Sequence, residues 1–444
     1  MAKPPSDNAD LRTAIDAVFA EARRARSPYG VASELAAMLA PCIDRLEALI
    51  ETGRSTEAEP LLKRIVTASE VVMNRIDDSN ARFYPLCARA VMLWGRSWAR
   101  IEPRQPRKLA AMVKKCADDS GFSIRDRIIE DFADALGEPG LAELRDLYLK
   151  ELRELPRIVL TDPTRYSRGA CDRIRERGSV IRKLQAIADA RRDVDGFIEL
   201  AELDGASDHE GIAIGRRLVD AGRHAEALAW VDRAIRADPE GDPDQPHDEP
   251  HGAAMVRALA LRGLGRVDES ADTLWREFGR RPGAALLRAI HEFTEPATAA
   301  GAPAQQDTAR AVAVASRHED PHEALRFLME IAEYGHAATL VEARCAELDG
   351  HRYDVLVPLA EALEATPAPD RLRAAWRCLD ALLRSILDDG RRTAYRHAAH
   401  YLVRMRRLAP GCGLVEAHAA LEAELAKAHR MKKAFWQEVE WEEE

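Results

Sequence analysis

The residues with the strongest chemical character lie in residues 395–400, which read YRHAAH. His397 and His400 are three positions apart, so a helix places both imidazoles on one face. There they could bind a metal ion together with a carboxylate of Asp388 or Asp389. Two histidines at this spacing are also expected by chance in a chain with thirteen histidines. We therefore favour a packed or partner-facing pair over a metal site.

Two aromatic residues near the end of the chain form a second candidate. Phe435 and Trp436 follow Lys432 and Lys433 and precede an acidic stretch, in a sequence that is only 5% aromatic. Such a pair is typical either of a hydrophobic cap on a last helical hairpin or of an exposed anchor for a partner. The predicted partner-binding residues are Arg396, His397, His400, Phe435 and Trp436.

A basic segment covers residues 165–192. It contains nine basic and three acidic residues, a local net charge of +6. Such a helix face can contact the phosphates of a nucleic acid or an acidic partner, although acidic neighbours can also neutralise it. The residues of this possible basic face are Arg165, Arg168, Arg173, Arg175, Arg182 and Lys183.

The search for catalytic and metal-binding motifs is mostly negative. Residues 238–251 contain six acids and two histidines, but their spacing is not that of an EF-hand, and their prolines predict a solvated loop. The seven cysteines are never closer than 29 residues, which excludes a zinc-finger pattern. Phosphate-binding loops, HExxH and GxSxG are missing. We predict no catalytic residue, no metal and no cofactor.

Length and composition describe a folded, charge-rich chain of several domains. The sequence has 444 residues, with 46% hydrophobic and 32% charged residues. It has no apolar stretch long enough to span a membrane, and its first residues are not followed by a signal-peptide hydrophobic segment. We therefore expect a cytoplasmic protein without a membrane partner. The net charge of −10 disfavours extensive nucleic-acid binding.

An internal repeat predicts the fold that must position these residues. Gly53, Gly222 and Gly265 are each followed by arginine, by glutamate four positions later and by a small residue at the fifth position. The glycine can end one helix in the left-handed conformation, and the glutamate then lies in the first turn of the next helix. Apolar residues at the ninth and thirteenth positions predict its inner face. They are Leu62, Val66, Val231, Ile235, Leu274 and Phe278.

The predicted fold class is all-α, a right-handed superhelical array of roughly ten helical hairpins, similar to tetratricopeptide and HEAT solenoids. A partial copy of the repeat begins at Gly390, with Ala399 and Val403 at the inner positions. The uncharged residues 296–306 are typical of a linker. We predict N-terminal repeats over 1–155, tetratricopeptide-like repeats over 156–295 and C-terminal repeats over 305–444.

Two parts of the chain also resemble known families. Residues 305–444 resemble the C-terminal part of a bacterial family, a domain of unknown function built from helical repeats. The matching runs are residues 346–353 (AELDGHRY), 356–363 (LVPLAEAL), 395–399 (YRHAA) and 435–436 (FW). This resemblance implies an all-α fold and assigns no catalytic residue.

The first 290 residues are similar to the helical region that follows the zinc finger in bacterial SWIM-finger proteins. The matching runs are residues 75–79 (RIDDS), 135–141 (ALGEPGL) and 221–230 (AGRHAEALAW). The finger itself, with its closely spaced cysteines, is missing, so zinc-dependent DNA binding does not carry over.

The expected function is a non-catalytic, protein-binding scaffold or adaptor, because helical arrays present long surfaces whose hairpins vary independently. One alternative is a nucleic-acid-associated regulator that uses the face at 165–192. A second alternative is a metal-dependent enzyme centred on His397 and His400.

Overall fold

The computed structural model describes residues 7–25, 31–103, 105–119, 124–156, 168–203, 207–237, 252–294 and 302–443. Every regular element in these ranges is helical, with no strand among them, which confirms the all-α prediction. None of the described helices is long and apolar enough to cross a bilayer. The predicted acidic loop at 238–251 lies outside the described residues.

The chain divides into two compact units, Met1–Ala221 and Gly222–Glu444. Each unit has its own hydrophobic core. The division into three segments stays a prediction. The predicted linker needs a correction: residues 296–301 lie outside the described residues, but residues 302–306 begin a helix.

Ten α-helices are described in the first unit. They are α1 (Asp7–Arg24), α2 (Val31–Glu51), α3 (Ser55–Met73), α4 (Tyr84–Ala99), α5 (Pro106–Asp118), α6 (Ile128–Asp131), α7 (Ala133–Glu154), α8 (Arg168–Ala190), α9 (Val194–Glu202) and α10 (Ser207–Asp220). Most consecutive helices pack on each other, but α4 packs on α6 and α7 rather than on α5; α1 also packs on α3 and α2 on α4.

Twelve α-helices are described in the second unit. They are α11 (His224–Ala237), α12 (Gly252–Gly263), α13 (Val267–Arg280), α14 (Ala284–Thr294), α15 (Ala302–Ala315), α16 (Pro321–Glu330), α17 (Tyr334–Ala343), α18 (Tyr353–Ala365), α19 (Pro369–Asp388), α20 (Tyr395–Cys412), α21 (Val415–Ala428) and α22 (Lys433–Glu443). Two 3₁₀ turns, Cys345–Glu347 and Arg392–Ala394, precede α18 and α20.

The last helices of the second unit stack in alternation. Helix α16 packs on α18 and α17 on α19, while α19 also packs on α18 and α20, and α20 packs on α22. Apolar residues three and four positions apart explain this arrangement, because they form a stripe along each helix. In α19 that stripe includes Ala375, Leu379, Leu382 and Ile386, all of which are buried.

The turns of the repeat have the geometry that the sequence predicts. Gly53, Gly222 and Gly265 have positive φ angles of 81°, 74° and 76°, a conformation that glycine adopts without a Cβ clash. The N–H of Arg54 then donates to the carbonyl five residues earlier at 2.8 Å, and that of Arg266 does so at 2.9 Å. This bond satisfies an end carbonyl of the preceding helix.

The glutamate of the repeat has a second role that its position alone does not reveal. Arg54 donates to both carboxylate oxygens of Glu57, at 2.8 and 2.9 Å. Arg266 pairs in the same way with Glu269, at 2.6 Å for both bonds, and the copy between them forms the same pair. The arginine and the glutamate therefore form a two-bond bridge over the first turn of each helix.

Two further turns have this geometry without glycine. Arg192 and Ala332 have φ angles of 55° and 58°, and the next N–H bonds to a carbonyl five positions earlier at 2.8 Å in both turns. Because the sequence pattern used glycine as its marker, it did not include them.

Most of the predicted inner-face residues are buried. Leu62, Val231, Leu274 and Phe278 have no exposed surface, and Val66 is 2% exposed. The partial copy of the repeat that begins at Gly390 agrees with the prediction, since its inner residues Ala399 and Val403 are buried. Ile235 is the exception: it is 37% exposed, because it lies in the last turn of α11, where no described helix covers it. Its assignment to the inner face was wrong.

Candidate functional site

Helices α20 and α22 form the region in which the predicted partner-binding residues lie. The rings of Tyr395 and Phe435 are 6.1 Å apart at the starts of the two helices. Further along, His400 Nδ1 lies 3.2 Å from Glu442 Oε2. Both contacts advance in the same direction along the chain, so α20 and α22 run parallel.

Between Tyr395 and Arg407, the solvent-facing side of α20 consists only of arginine and histidine. From Tyr395 to Arg407, every residue of another type is buried. We use the name α20 surface for Arg396, His397, His400, Arg404 and Arg407. Their spacing of three and four positions places them on one side of the helix. Arg406 is also exposed, but it pairs with Glu422 at 2.9 Å.

Only part of the α20 surface is neutralised by the protein itself. Glu442 contacts His400, and Glu364 accepts a hydrogen bond from Arg404 at 2.6 Å. Arg396, His397 and Arg407 are exposed and have no carboxylate within ion-pair distance among the described residues. The surface therefore presents unpaired guanidinium groups to the solvent.

A sequence signal for this surface was present but not used. Residues 390–415 contain six arginines, two histidines and no acidic residue. The cluster YRHAAH predicts a site at Arg396, His397 and His400, but it gives no sign of Arg404 and Arg407. The absence of acids over so many residues would have found all five.

The two aromatic residues at the start of α22 have different environments. Phe435 has no exposed surface and packs against Tyr395, so it caps the hairpin and is not available to a partner. Its assignment as an exposed anchor needs this correction. Trp436 is half-buried, and its indole N–H donates to the carbonyl of His429 at 3.2 Å. Of the pair, only Trp436 offers surface for a contact.

The metal alternative has no complete ligand set in the described part of the chain. No three His, Cys, Asp or Glu side chains come together there in a way that could hold a metal ion. The carboxylate of Asp389 lies 2.8 Å from the ring of His351 and Asp388 lies 3.6 Å from His429, so neither faces His397 and His400 as the sequence analysis considered.

The basic segment at 165–192 contributes fewer free charges than its composition predicts. Arg165 lies outside the described residues, as does the side chain of Arg168. Lys183 donates to Asp118 at 2.6 Å, and Arg175 donates to Asp172 at 3.1 Å. The remaining residues of the possible face, Arg173 and Arg182, are exposed. The nucleic-acid interpretation stays a prediction that rests on Arg173 and Arg182.

A polar junction between α16 and α18 was missed by the sequence analysis. His322 is 4% exposed, and its Nε2 accepts the N–H of Asp349 at 3.0 Å. Its Nδ1 therefore carries the proton and donates to Asp320 at 2.8 Å. Arg352 donates to the other oxygen of Asp320 at 3.0 Å. Burial would raise the pKa of Asp320, but the bonds from His322 and the charge of Arg352 lower it.

The loop before α18 is fixed to α19 by its neighbouring histidine. His351 lies between Asp349 and Asp389, at 2.7 and 2.8 Å, and these hydrogen bonds raise the pKa of its ring. A Cβ on Gly350 would lie only 2.2 Å from the carbonyl oxygen of Ala381, so glycine lets the loop pack directly on the helix. Because the polar atoms of His322 and His351 are already bonded, this junction orients helices rather than presenting a ligand site.

Fold and surface together define an all-α protein of packed helical hairpins with a cationic helix face. The model of the DUF6880 family, described as a family of unknown function, matches residues 5–438. The chain therefore belongs to this family.

The other comparisons add little. No curated protein matches the chain. Among solved structures, a circular tandem repeat protein with novel repeat topology and enhanced subunit contact surfaces is similar at 15% identity. The match covers 98% of this chain and 91% of that protein, with a TM-score of 0.21. A score this low carries no structural argument.

Proposed function

We propose that the protein is a non-catalytic scaffold or adaptor that binds a protein partner through the α20 surface and the exposed part of Trp436. The observation that supports the proposal is the composition of the α20 surface, which contains only arginine and histidine. Arginine and tryptophan are the residues most enriched in binding hot spots. A partner would therefore find both charged contacts and an aromatic contact along two parallel helices.

The architecture supports the same proposal. Packed helical hairpins hold such a surface on rigid elements, and hairpins can vary on their outer side without loss of the core. The outer side of α20 is exposed among the described residues, so its side chains either stay in solvent or meet a partner. In this proposal Phe435 is the cap, and Trp436 with the α20 surface is the contact. The tetratricopeptide-like character, the cytoplasmic location, the bacterial origin and the SWIM-finger relationship of the first 290 residues belong to the same proposal.

The test is a pull-down with the full chain as bait in a bacterial lysate, with Trp436→Ala and Arg396→Ala as variants. We expect both variants to lose proteins that the unmodified chain retains. Arg276→Ala is the matched control, because Arg276 is an exposed arginine on α13, far along the chain from this surface. It should retain them.

Melting curves recorded on the same preparations separate binding from folding. Arg396 is exposed, so its replacement should leave the melting temperature unchanged. Trp436 is half-buried, and some loss of stability is expected there. If Arg396→Ala and Trp436→Ala both keep every retained protein, the proposed contact surface is wrong.

A further inference from the structure

We propose that the partner presents a short, extended, acidic peptide segment to the α20 surface. This inference rests on the proposed function and adds the chemistry of the partner. The surface offers the guanidinium groups of Arg396 and Arg407, which have no carboxylate partner among the described residues, and the exposed ring of His397 between them. Guanidinium groups bind carboxylates through two parallel hydrogen bonds, which makes acidic side chains their natural ligands.

The pairs already present on the molecule show which ligand the surface accepts. Glu442 contacts His400 and Glu364 contacts Arg404, so the protein's own carboxylates occupy the middle of the surface. Glu442 belongs to α22 and Glu364 to α18. An incoming acidic chain would extend this pattern to Arg396 and Arg407, the cations at the two ends.

The spacing of these cations sets the length of the segment. Arg396 and Arg407 are eleven positions apart on one helix, or about 16 Å along its axis. An extended chain rises about 3.3 Å per residue, so about five residues span this distance. Alternate side chains of such a chain point to the same side, at intervals of about 6.6 Å, which is close to one helical turn. Because Glu442 and Glu364 already neutralise the middle of the surface, the pattern that fits best is Glu-x-x-x-Glu, with neutral residues between the two glutamates.

The surroundings favour a peptide over a nucleic acid. Glu442 and Glu364 lie beside the middle of the α20 surface. These carboxylates would repel the continuous phosphate chain of a nucleic acid, whereas a peptide can place neutral residues opposite them. The chain as a whole carries a net charge of −10, which adds a long-range repulsion. This repulsion is weaker for an acidic peptide with a few charges than for a nucleic acid, which carries one charge per phosphate.

The test measures direct binding of defined probes to the full chain. The first probe is a fluorescein-labelled GEAAAEG peptide, the second its GQAAAQG counterpart, and the third a labelled five-nucleotide single-stranded DNA. Fluorescence anisotropy should show the glutamate peptide binding at least about tenfold more tightly than the glutamine peptide, with affinity that falls as salt rises. The DNA should bind more weakly than the glutamate peptide.

Charge variants then assign the binding to the α20 surface. Arg396→Glu with Arg407→Glu should reduce the affinity for the glutamate peptide at least about tenfold. Arg396→Lys with Arg407→Lys should reduce it less, because lysine keeps the charge but not the two-bond geometry. Arg276→Glu, the matched reversal on α13, should have no effect. Circular dichroism confirms folding, and Arg396→Gln with Arg407→Gln replaces the reversal if the double glutamate variant does not fold.

Three results would overturn the inference. They are equal binding of the glutamate and glutamine peptides, unchanged affinity in the variants at positions 396 and 407, and tighter binding of the DNA at the same surface. If one of these occurs while Arg396→Ala still loses its partners in the pull-down, the scaffold proposal stands and only the acidic ligand is wrong. If the peptide binds but no partner is retained in the pull-down, the scaffold proposal fails instead.

Discussion

Residues 165–192 and residues 390–415 each have a local net charge of +6, and in each segment the folded protein pairs some cations and leaves others exposed. In the first segment, Lys183 of α8 shares the carboxylate of Asp118 with Lys114 of α5, at 2.6 and 2.7 Å. In the second segment, Arg396 and Arg407 of α20 have no such carboxylate among the described residues, and Arg173 and Arg182 of the first segment have none either. The charge of a segment therefore does not indicate how much of it stays free, because the neighbouring helices supply or withhold the acids.

The acids around α8 come from several helices that lie far away in sequence. Asp118 ends α5, and Glu138 of α7 accepts a hydrogen bond from Arg191 at 2.5 Å. Asp189 of α8 itself pairs with Arg217 of α10, also at 2.5 Å. These charges hold helices together in the first unit. The comparison predicts that removing charges near α8 costs stability, whereas removing charges from α20 costs binding.

The largest expected loss of stability follows from replacing Asp118. Its carboxylate accepts hydrogen bonds from Lys114, Lys183 and the hydroxyl of Tyr148, and Tyr148 has no exposed surface. Asp118→Ala leaves two partly buried ammonium groups and a buried hydroxyl without this partner, although Lys114 keeps Glu151. We expect a loss of about 2 kcal/mol in the free energy of unfolding, measured with urea. A loss below about 0.5 kcal/mol would show that the charges of α8 are not structural.

The pH dependence of the same effect gives a second readout. Burial would raise the pKa of Asp118, but the bonds from Lys114 and Lys183 lower it below its ordinary value of 3.8. A carboxylate whose pKa is lowered by folding adds stability above that ordinary value and loses it as the pH falls. Asp118→Asn should therefore be destabilising at pH 7, and its deficit should shrink below about pH 4. A deficit that stays constant down to pH 2 would contradict the ion-pair explanation.

A smaller change in the free energy of unfolding is expected at two turns, one in each segment. Arg192 adopts a φ of 55° after α8, whereas Gly390 adopts 65° before α20. The left-handed conformation costs a residue with a Cβ about 1 kcal/mol. Arg192→Gly should therefore raise the free energy of unfolding by about 1 kcal/mol, and Gly390→Ala should lower it by a similar amount. A Cβ on Gly390 would lie 4.0 Å from the Lys432 Nζ atom, so no clash complicates the comparison.

Urea unfolding of both turn variants checks this prediction. Ala332→Gly is the matched control in the second unit, because Ala332 has a φ of 58° and the same turn geometry as Arg192. It should be stabilising as well. If both glycine replacements are destabilising, the turns depend on their side chains and not on backbone strain.

Much of the fold could be predicted from the sequence because helical periodicity and glycine turns act locally. Gly53, Gly222 and Gly265 mark turns whose backbone only glycine adopts easily, and the buried positions of α3 and α13 follow at fixed distances. The turns at Arg192 and Ala332 were not predicted, because there the fold imposes a conformation that the residue itself does not favour. A pattern built on intrinsic preference cannot detect such a turn.

The candidate site could be predicted only in part, for a different physical reason. His397 and His400 are conspicuous in sequence, but whether an arginine is free depends on acids elsewhere in the chain. Arg404 is paired through Glu364, forty positions away. The polar junction at His322 depends equally on Asp349 and Arg352, which reach it only after α16 and α18 pack together. Such pairs leave no local pattern.

The smallest expected change in the free energy of unfolding is at the α20 surface. Arg396→Ala and Arg407→Ala each remove an exposed side chain that has no ion pair among the described residues. Replacements of this kind usually change stability by less than about 0.5 kcal/mol. We expect the urea midpoint of the double variant to match that of the unmodified chain, while Asp118→Ala shifts it clearly. A double variant as unstable as Asp118→Ala would mean that α20, like α8, uses its arginines to hold the fold, and the two segments would no longer differ.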